Sequence, residues 1–202
     1  VKFASLDGAV FAISQVTVTN ELPIYRILAV GNSFSEDALE AYLSDLARAA
    51  GIKVVIGNLY IGSATIDQHL ENATANANAY SFRKINEKGE KTTTANTSIA
   101  TAISNEAWDF ISFQQESGRS GQFETYSALP QLVNYVKQKA TNPKAKYVFH
   151  QTWAYAEGAN IPEFANYNNN QLEMYRAITD AAIRAKEMAG FDLVVPVGTA
   201  IQ

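Results

Sequence analysis

The chain of 202 residues contains no cysteine and only two histidines, His69 and His150. The absence of cysteine excludes a disulfide scaffold, a thiol nucleophile and thiolate ligands for zinc or an iron–sulfur cluster. Two histidines argue against a multi-histidine metal site, and we predict neither a metal nor a cofactor. No window reaches the roughly 18 consecutive apolar residues that indicate a membrane-spanning helix, so we predict no transmembrane segment.

The chain also has no large excess of one charge, because it contains 16 basic and 20 acidic residues and its net charge is −4. This mild acidity gives no electrostatic basis for binding nucleic acid. The composition, 47% hydrophobic and 18% charged, is typical of a globular protein. The surface chemistry, rich in Asn, Thr, Ser and Tyr, suits export, so we expect a secreted, periplasmic or surface-attached protein whose signal is not in this chain. No pattern indicates the oligomeric state.

Two regions differ in their pattern. Residues 1–23 contain two β-prone runs around Asp7-Gly8, a dipeptide that favours a tight hairpin turn. This predicted hairpin is either an edge ribbon or the tail of an upstream β domain, and the sequence leaves both open. Residues 24–202 alternate between short apolar runs and segments of helical periodicity, so we assign them to one α/β domain.

The alternation predicts a flavodoxin-like, three-layer α/β/α fold with a five-stranded parallel sheet in the order 2-1-3-4-5. A turn at Asn86–Gly89 predicts a small hairpin insertion between Tyr80 and Thr94. An apolar stripe from Leu39 to Ala50 predicts one continuous helix that ends at Gly51. The predicted strands are Ile27–Val30, Lys53–Tyr60, Asp109–Phe113, Lys146–His150 and Phe191–Val197, and the later helices are Ser98–Asn105, Leu129–Ala140 and Gln171–Met188.

Polar residues follow four of these strands, and ligands of open α/β sheets bind at that carboxyl edge. Ser33 has two interpretations. It fits a capping box with Glu36, in which its hydroxyl caps a helix. It also suits a nucleophile at a helix N-terminus, where backbone amides stabilise an oxyanion. The four polar segments are Gly31–Ser35, Gly62-Ser63, Gln114–Ser117 and His150–Trp153.

Several of these sequence segments together resemble the signature blocks of the SGNH/GDSL hydrolases. Ile27–Ser35 is similar to the first block, with Asn32 where that family usually has Asp and Phe34 where it often has Leu. Asn58–Ser63 resembles the second block, and Trp108–Gln115 resembles the strand that leads to the third. With His150–Tyr155, the set most resembles an uncharacterised SGNH-hydrolase-like domain family of gut anaerobes, over Tyr25 to Gln202.

The resemblance implies a serine ester hydrolase, with O-acetyl groups on a carbohydrate as the expected substrate. Ser33 would be the nucleophile, and the oxyanion donors would be the amides of Ser33 and Gly62 and the side chain of Gln115. Trp153 and Tyr155 would form a platform for a sugar ring, or would simply pack. The expected substrate contacts are Asn32, Gln114, Glu116, His150, Trp153 and Tyr155.

The catalytic base of that family lies in an Asp-x-x-His block, which this chain lacks. The chain is therefore a piece of a longer enzyme, a non-catalytic relative, or an enzyme in which His150 replaces the base. In the predicted strand order His150 lies ~10 Å from Ser33, which favours a substrate contact or a loop-holding hydrogen bond. For His69 we expect a solvated or capping position.

Two alternatives to an esterase stay open at this point. The first is a carbohydrate-binding or scaffolding protein that keeps the hydrolase fold without its chemistry. The second is a binder of phosphate or flavin at the helix N-terminus that Ser33 and Ser35 open.

Overall fold

The structure, a computed structural model, describes residues 22–202 and contains a single seven-stranded sheet. The predicted hairpin around Asp7-Gly8 lies outside the described residues. The strand order across the sheet is β4-β3-β2-β1-β5-β6-β7. The strands are β1 (Ile24–Gly31), β2 (Lys53–Tyr60), β3 (Tyr80–Ile85), β4 (Lys91–Thr97), β5 (Phe110–Phe113), β6 (Lys146–His150) and β7 (Leu193–Val195).

Five of the strands, β2-β1-β5-β6-β7, are parallel and stand in the predicted order. The predicted hairpin insertion is β3-β4, and it does not stand apart from the sheet. Its strand β3 pairs antiparallel with β2, which extends the sheet to seven strands. This pairing satisfies the edge of β2, which would otherwise leave backbone groups unpaired.

Helices cover both faces of the sheet. One face packs against α3 to α6 through the main apolar core, and the other packs against α2 through a smaller cluster around Ile56. Among the described residues, no helix is long and apolar enough to cross a membrane. The helices are α1 (Ser33–Ser35), α2 (Leu43–Ala49), α3 (Ile66–Thr74), α4 (Ile99–Ser104), α5 (Leu129–Lys139), α6 (Gln171–Ala189) and α7 (Val197–Ile201).

The prediction of one continuous helix from Leu39 to Ala50 was wrong. The segment is divided into a π-helical turn at Glu36–Glu40 and the separate helix α2. Two members of the predicted apolar stripe are exposed, Tyr42 at 72% and Leu46 at 64%. Periodicity alone missed the break because ion pairs to a distant strand hold Glu36 and Glu40 in place. The predicted end is confirmed, since Gly51 has a positive φ of 71°.

An apolar groove of about 360 Å³ runs along the sheet face beside α2. Its floor is formed by β1, β5, β6 and β7, and Leu39 and Leu43 form one wall. Among residues 22–202, the polar side chains that line it are Ser112 and His150. Leu39 and Leu43 therefore border a groove instead of lying under a closed helical layer.

Candidate functional site

The ends of the parallel strands bring the predicted polar residues to one edge of the sheet. Gly31 pairs with Tyr60, and Val30 pairs with Phe113. Phe113 in turn pairs with Phe149. The residues that follow these positions, including Ser33, Gln114 and His150, therefore emerge together, as expected for an open α/β sheet.

Asn32, and not Ser33, caps the helix at this edge. The Asn32 Oδ1 atom accepts a hydrogen bond of 3.1 Å from the N–H of Phe34. Ser33 is the exposed first residue of α1, and its hydroxyl makes no hydrogen bond within residues 22–202. The capping interpretation of Ser33 is therefore wrong, and its hydroxyl is available to a ligand.

The turn that carries Ser33 also requires a glycine before it. A Cβ atom added at Gly31 would lie 2.3 Å from Ser35 Oγ and 3.2 Å from Gln114 Cδ. We expect Gly31→Ala to lower the free energy of unfolding by about 2 kcal/mol, because the crowded turn must shift. Urea denaturation measures this loss. Gly62→Ala is the matched control, since its added Cβ meets nothing closer than 3.4 Å, and equal losses at both sites would contradict the packing argument.

The loop after β2 lies against the Ser33 turn. The Asn32 Nδ2 atom donates to the carbonyl of Ala64 at 3.0 Å, which ties this loop to the turn. Ser63 adopts a positive φ of 54°. In the described part of the chain, the N–H groups of Gly62 and Ser63 have no hydrogen-bond acceptor. Backbone donors of this kind are what an oxyanion site requires.

Gln115 does not face the Ser33 turn with a free amide. Its Nε2 atom donates to both the carbonyl and the hydroxyl of Thr125, each at 3.0 Å. Its Oε1 atom accepts from the N–H groups of Ile66 and Glu116. Because both N–H bonds are used, the expected role of Gln115 as an oxyanion donor would require it to release Thr125. In this geometry Gln115 links the start of α3, at Ile66, to the 3-10 turn that contains Thr125.

Glu116 is likewise used within the protein. Its carboxylate accepts from the hydroxyl of Ser117 and from the N–H groups of Gly118 and Arg119. It therefore caps the short 3-10 turn that follows β5. The expected substrate contact of Glu116 stays a prediction, and its carboxylate oxygens already accept the hydrogen bonds of this cap.

Gln114 joins a buried row of polar side chains. Its Nε2 atom donates to Asn32 Oδ1 at 2.5 Å, and its Oε1 atom lies 2.9 Å from His150 Nδ1. The opposite amide orientation would let Gln114 Oε1 accept from the N–H groups of Asn32 and Ser35 at 3.2 Å, so Gln114 contacts the Ser33 turn in either orientation. It would also place two amide oxygens 2.5 Å apart, because the bond from Phe34 N–H fixes Asn32 Oδ1. We therefore assign the Nδ1 proton of His150 to the bond with Gln114.

His150 is 5% exposed and has no partner for Nε2 in the described part of the chain. Burial lowers the pKa of His150 from 6.5 to about 4, so its ring is neutral near pH 7. The Gln114 side chain occupies its Nδ1 face, and the hydrogen bonds reach the Ser33 turn only through Gln114 and Asn32. This arrangement agrees with a loop-holding hydrogen bond.

The expectation of a solvated or capping His69 was wrong. His69 is 1% exposed on α3, and its Nδ1 atom lies 2.8 Å from the hydroxyl of Tyr80. The two rings are stacked. Burial lowers the pKa of His69 to about 4. His69 is a core residue because the side of α3 that carries it packs against Tyr80 on β3. The sequence did not predict that β3 would join the sheet at this place.

A pocket of about 480 Å³ opens in front of Ser33. Trp153 and Tyr155 line it, as the sugar-platform interpretation requires. The Trp153 ring packs edge-on against Phe34 at 4.4 Å, and the Tyr155 hydroxyl bonds to Ser117 Oγ at 3.1 Å. Sequence reasoning missed four further lining residues, Asp37, Ala156, Gln171 and Ile201.

A second polar cluster holds the other side of the turn. The Ser35 hydroxyl lies 2.9 Å from Asn58 Oδ1, and Asn58 Nδ2 donates to Glu40 at 2.6 Å. Glu40 and Glu36 both pair with Arg83 on β3. Hence the hairpin insertion is connected to the Ser33 turn. The sequence carries no local signal of this cluster, since its members lie on four different elements.

Solved structures share this architecture. A candidate SGNH hydrolase from Slackia heliotrinireducens superposes with a TM-score of 0.50 at 21% identity, over 85% of this chain and 78% of that chain. The fold is therefore that of the SGNH hydrolases. A DUF4886 family protein from Bacteroides uniformis superposes with a TM-score of 0.87 at 45% identity, over 89% of this chain and 70% of that chain.

The family assignment follows from the sequence match as well. Residues 26–202 match the family described as a domain of unknown function, DUF4886. The chain belongs to this family. No curated protein matches the chain.

Proposed function

We propose that this protein is an SGNH-type serine ester hydrolase with Ser33 as its nucleophile. The observation that carries the proposal is the exposed, unbonded hydroxyl of Ser33 at the start of α1 and at the mouth of the pocket. A nucleophile needs this freedom of approach, and the carboxyl edge of the sheet is where such folds bind ligands.

The oxyanion would be stabilised by backbone donors. The N–H of Ser33 opens α1 and has no intrahelical acceptor. The N–H groups of Gly62 and Ser63 stand free in the adjoining loop, which Asn32 ties to the turn. Removal of a single donor of this type costs about 10²-fold or more in kcat. We assign the oxyanion to these amides in preference to Gln115.

The base would come from residues outside the described part of the chain. Neither His69 nor His150 is placed to accept the Ser33 proton, because both are buried and their Nδ1 atoms face Tyr80 and Gln114 instead of Ser33. A serine without a base is a weak nucleophile near pH 7. We therefore expect the activity in the full-length product of the gene, which we call the extended chain.

The substrate would be an acetylated carbohydrate. The pocket combines two aromatic rings, Trp153 and Tyr155, with the carboxylate of Asp37 and the amide of Gln171. Aromatic faces suit the apolar face of a sugar ring, and the polar groups suit its hydroxyls. Release of acetate from an acetylated oligosaccharide by the extended chain tests the proposal. Release no faster than in buffer alone would refute it.

Trp153 tests the substrate assignment. We expect Trp153→Ala in the extended chain to raise KM for an acetylated oligosaccharide about tenfold, because about 1.4 kcal/mol of ring contact is lost. The value of kcat/KM for p-nitrophenyl acetate should change less than about threefold. Tyr155→Phe, which loses only the bond to Ser117, is the control. Equal losses on both substrates would show that Trp153 supports the fold and does not hold a sugar.

A second function, carbohydrate binding without turnover, is favoured by one observation. The described residues form an aromatic pocket in which no histidine contacts Ser33. Calorimetry on the extended chain separates the two functions. Binding of an acetylated oligosaccharide without release of acetate would favour the binding protein, and turnover would exclude it.

A further inference from the structure

We propose that Gln114 and His150 are positioning residues that hold the Ser33 turn in its reactive geometry through Asn32. The inference rests on the proposed function for the role of Ser33. Its structural basis is the buried row of hydrogen bonds from His150 through Gln114 to Asn32. We name these three residues the amide relay.

The turn needs such support because α1 is only three residues long. A helix of this length is not stable alone, since its nucleation cost is not repaid by further hydrogen bonds. Its start is held by the Asn32 side chain, which accepts from Phe34 N–H and donates to Ala64. The orientation of the Asn32 amide therefore sets the position of Ser33.

Gln114 fixes that orientation. A planar amide that donates to Ala64 and accepts from Phe34 could still tilt, but the 2.5 Å bond from Gln114 Nε2 gives Oδ1 a second donor. Gln114 itself is buried, so water does not compete for this bond. Each relay member stands at the end of a different strand, on β1, β5 and β6, and the sheet fixes their spacing.

His150 completes the relay by holding Gln114. Its Nδ1 proton faces Gln114 Oε1 at 2.9 Å, which prevents the Gln114 amide from rotating. His150 acts through Gln114, because its hydrogen bonds reach the Ser33 turn by way of Gln114 and Asn32. The centroid of the Trp153 ring lies 6.3 Å from that of the His150 ring, and Trp153 lines the pocket in front of Ser33. The His150 end of the relay therefore lies next to the pocket wall.

Hydrogen exchange tests the relay without any requirement for activity. In the 202-residue chain we expect Gln114→Met, which keeps the volume and removes both bonds, to speed exchange of the Phe34 N–H about tenfold. The control is the Thr101 N–H, which the Ser98 hydroxyl caps in the same manner far from the relay. Faster exchange at Phe34 alone supports the relay. Unchanged exchange at Phe34, or an equal rise at both amides, would overturn it.

Kinetics of the extended chain provide the second arm. Gln114→Met and His150→Leu should lower kcat for p-nitrophenyl acetate about tenfold with KM within about twofold. His150→Asn, whose amide nitrogen replaces Nδ1, should keep most of kcat. A loss in His150→Asn as large as in His150→Leu would overturn the role of His150. If the wild-type chain shows no turnover, the proposed function fails, and exchange at Phe34 alone decides on the relay.

Discussion

Ser33→Ala in the extended chain is expected to lower kcat/KM for p-nitrophenyl acetate by about 10³-fold or more. The serine hydroxyl forms the covalent bond to the acyl carbon, so its removal eliminates the two-step route and leaves only the oxyanion donors. A factor of 10³ corresponds to about 4 kcal/mol of transition-state stabilisation. Initial rates under saturating and limiting substrate measure the effect.

The substitution should not disturb the fold. The Ser33 hydroxyl has no hydrogen-bond partner within residues 22–202, so we expect a change in unfolding free energy below about 0.5 kcal/mol. Ser127→Ala, at another exposed serine, serves as the control and should keep full activity. Equal rates for wild type and Ser33→Ala would contradict the nucleophile assignment.

Acidification from pH 7.5 to 4.5 is expected to destabilise the protein by several kcal/mol. His69 and His150 have their folded-state pKa lowered from 6.5 to about 4. Below pH 6.5 the two histidines therefore bind protons in the unfolded chain but not in the folded chain. The free energy of unfolding falls with pH until the pH approaches 4. Each histidine contributes about 3 kcal/mol over the full window, at about 1.4 kcal/mol for each pKa unit.

Urea denaturation across this pH range, with non-titrating variants, measures the effect. His69→Asn and His150→Asn each keep a polar nitrogen near the position of Nδ1 and remove the titrating ring. Each should reduce the slope of stability against pH between 5 and 6 by about half, and the double variant should remove most of it. Glu106 and Asp192, whose pKa values salt bridges and hydrogen bonds hold low, act in the same direction but at lower pH. An unchanged slope in the double variant would contradict the histidine origin.

The parallel sheet was predictable because its strands carry their own signal. A strand buried on both faces is a continuous apolar run, as in Ile27–Val30, and such runs separated by helical periodicity predict a parallel sheet. The helix after β1 was not predictable in the same way. Its break at Glu36–Glu40 depends on Arg83, which stands 43 residues beyond Glu40 in the chain. Periodicity contains no information about such a partner.

The site was predictable in its location more than in its bonding. Strand order alone places Ser33, Gln114, His150 and Trp153 at one edge, and the structure brings them there. The hydrogen bonds of the individual side chains depend on residues that are distant in the sequence, and the spacing of residues along the chain does not reveal these partners. Gln115 is bonded to Thr125 on a neighbouring turn, and neither residue type identifies that contact in advance.

Covalent labelling of Ser33 tests the central claim most directly. The extended chain is treated with diisopropyl phosphorofluoridate, digested with trypsin and analysed by tandem mass spectrometry. The account predicts one diisopropylphosphoryl group on the peptide of residues 27–48, placed by fragmentation on Ser33 and not on Ser35 or Ser44. A folded extended chain that stays unlabelled, or that carries the label on another serine, would contradict it.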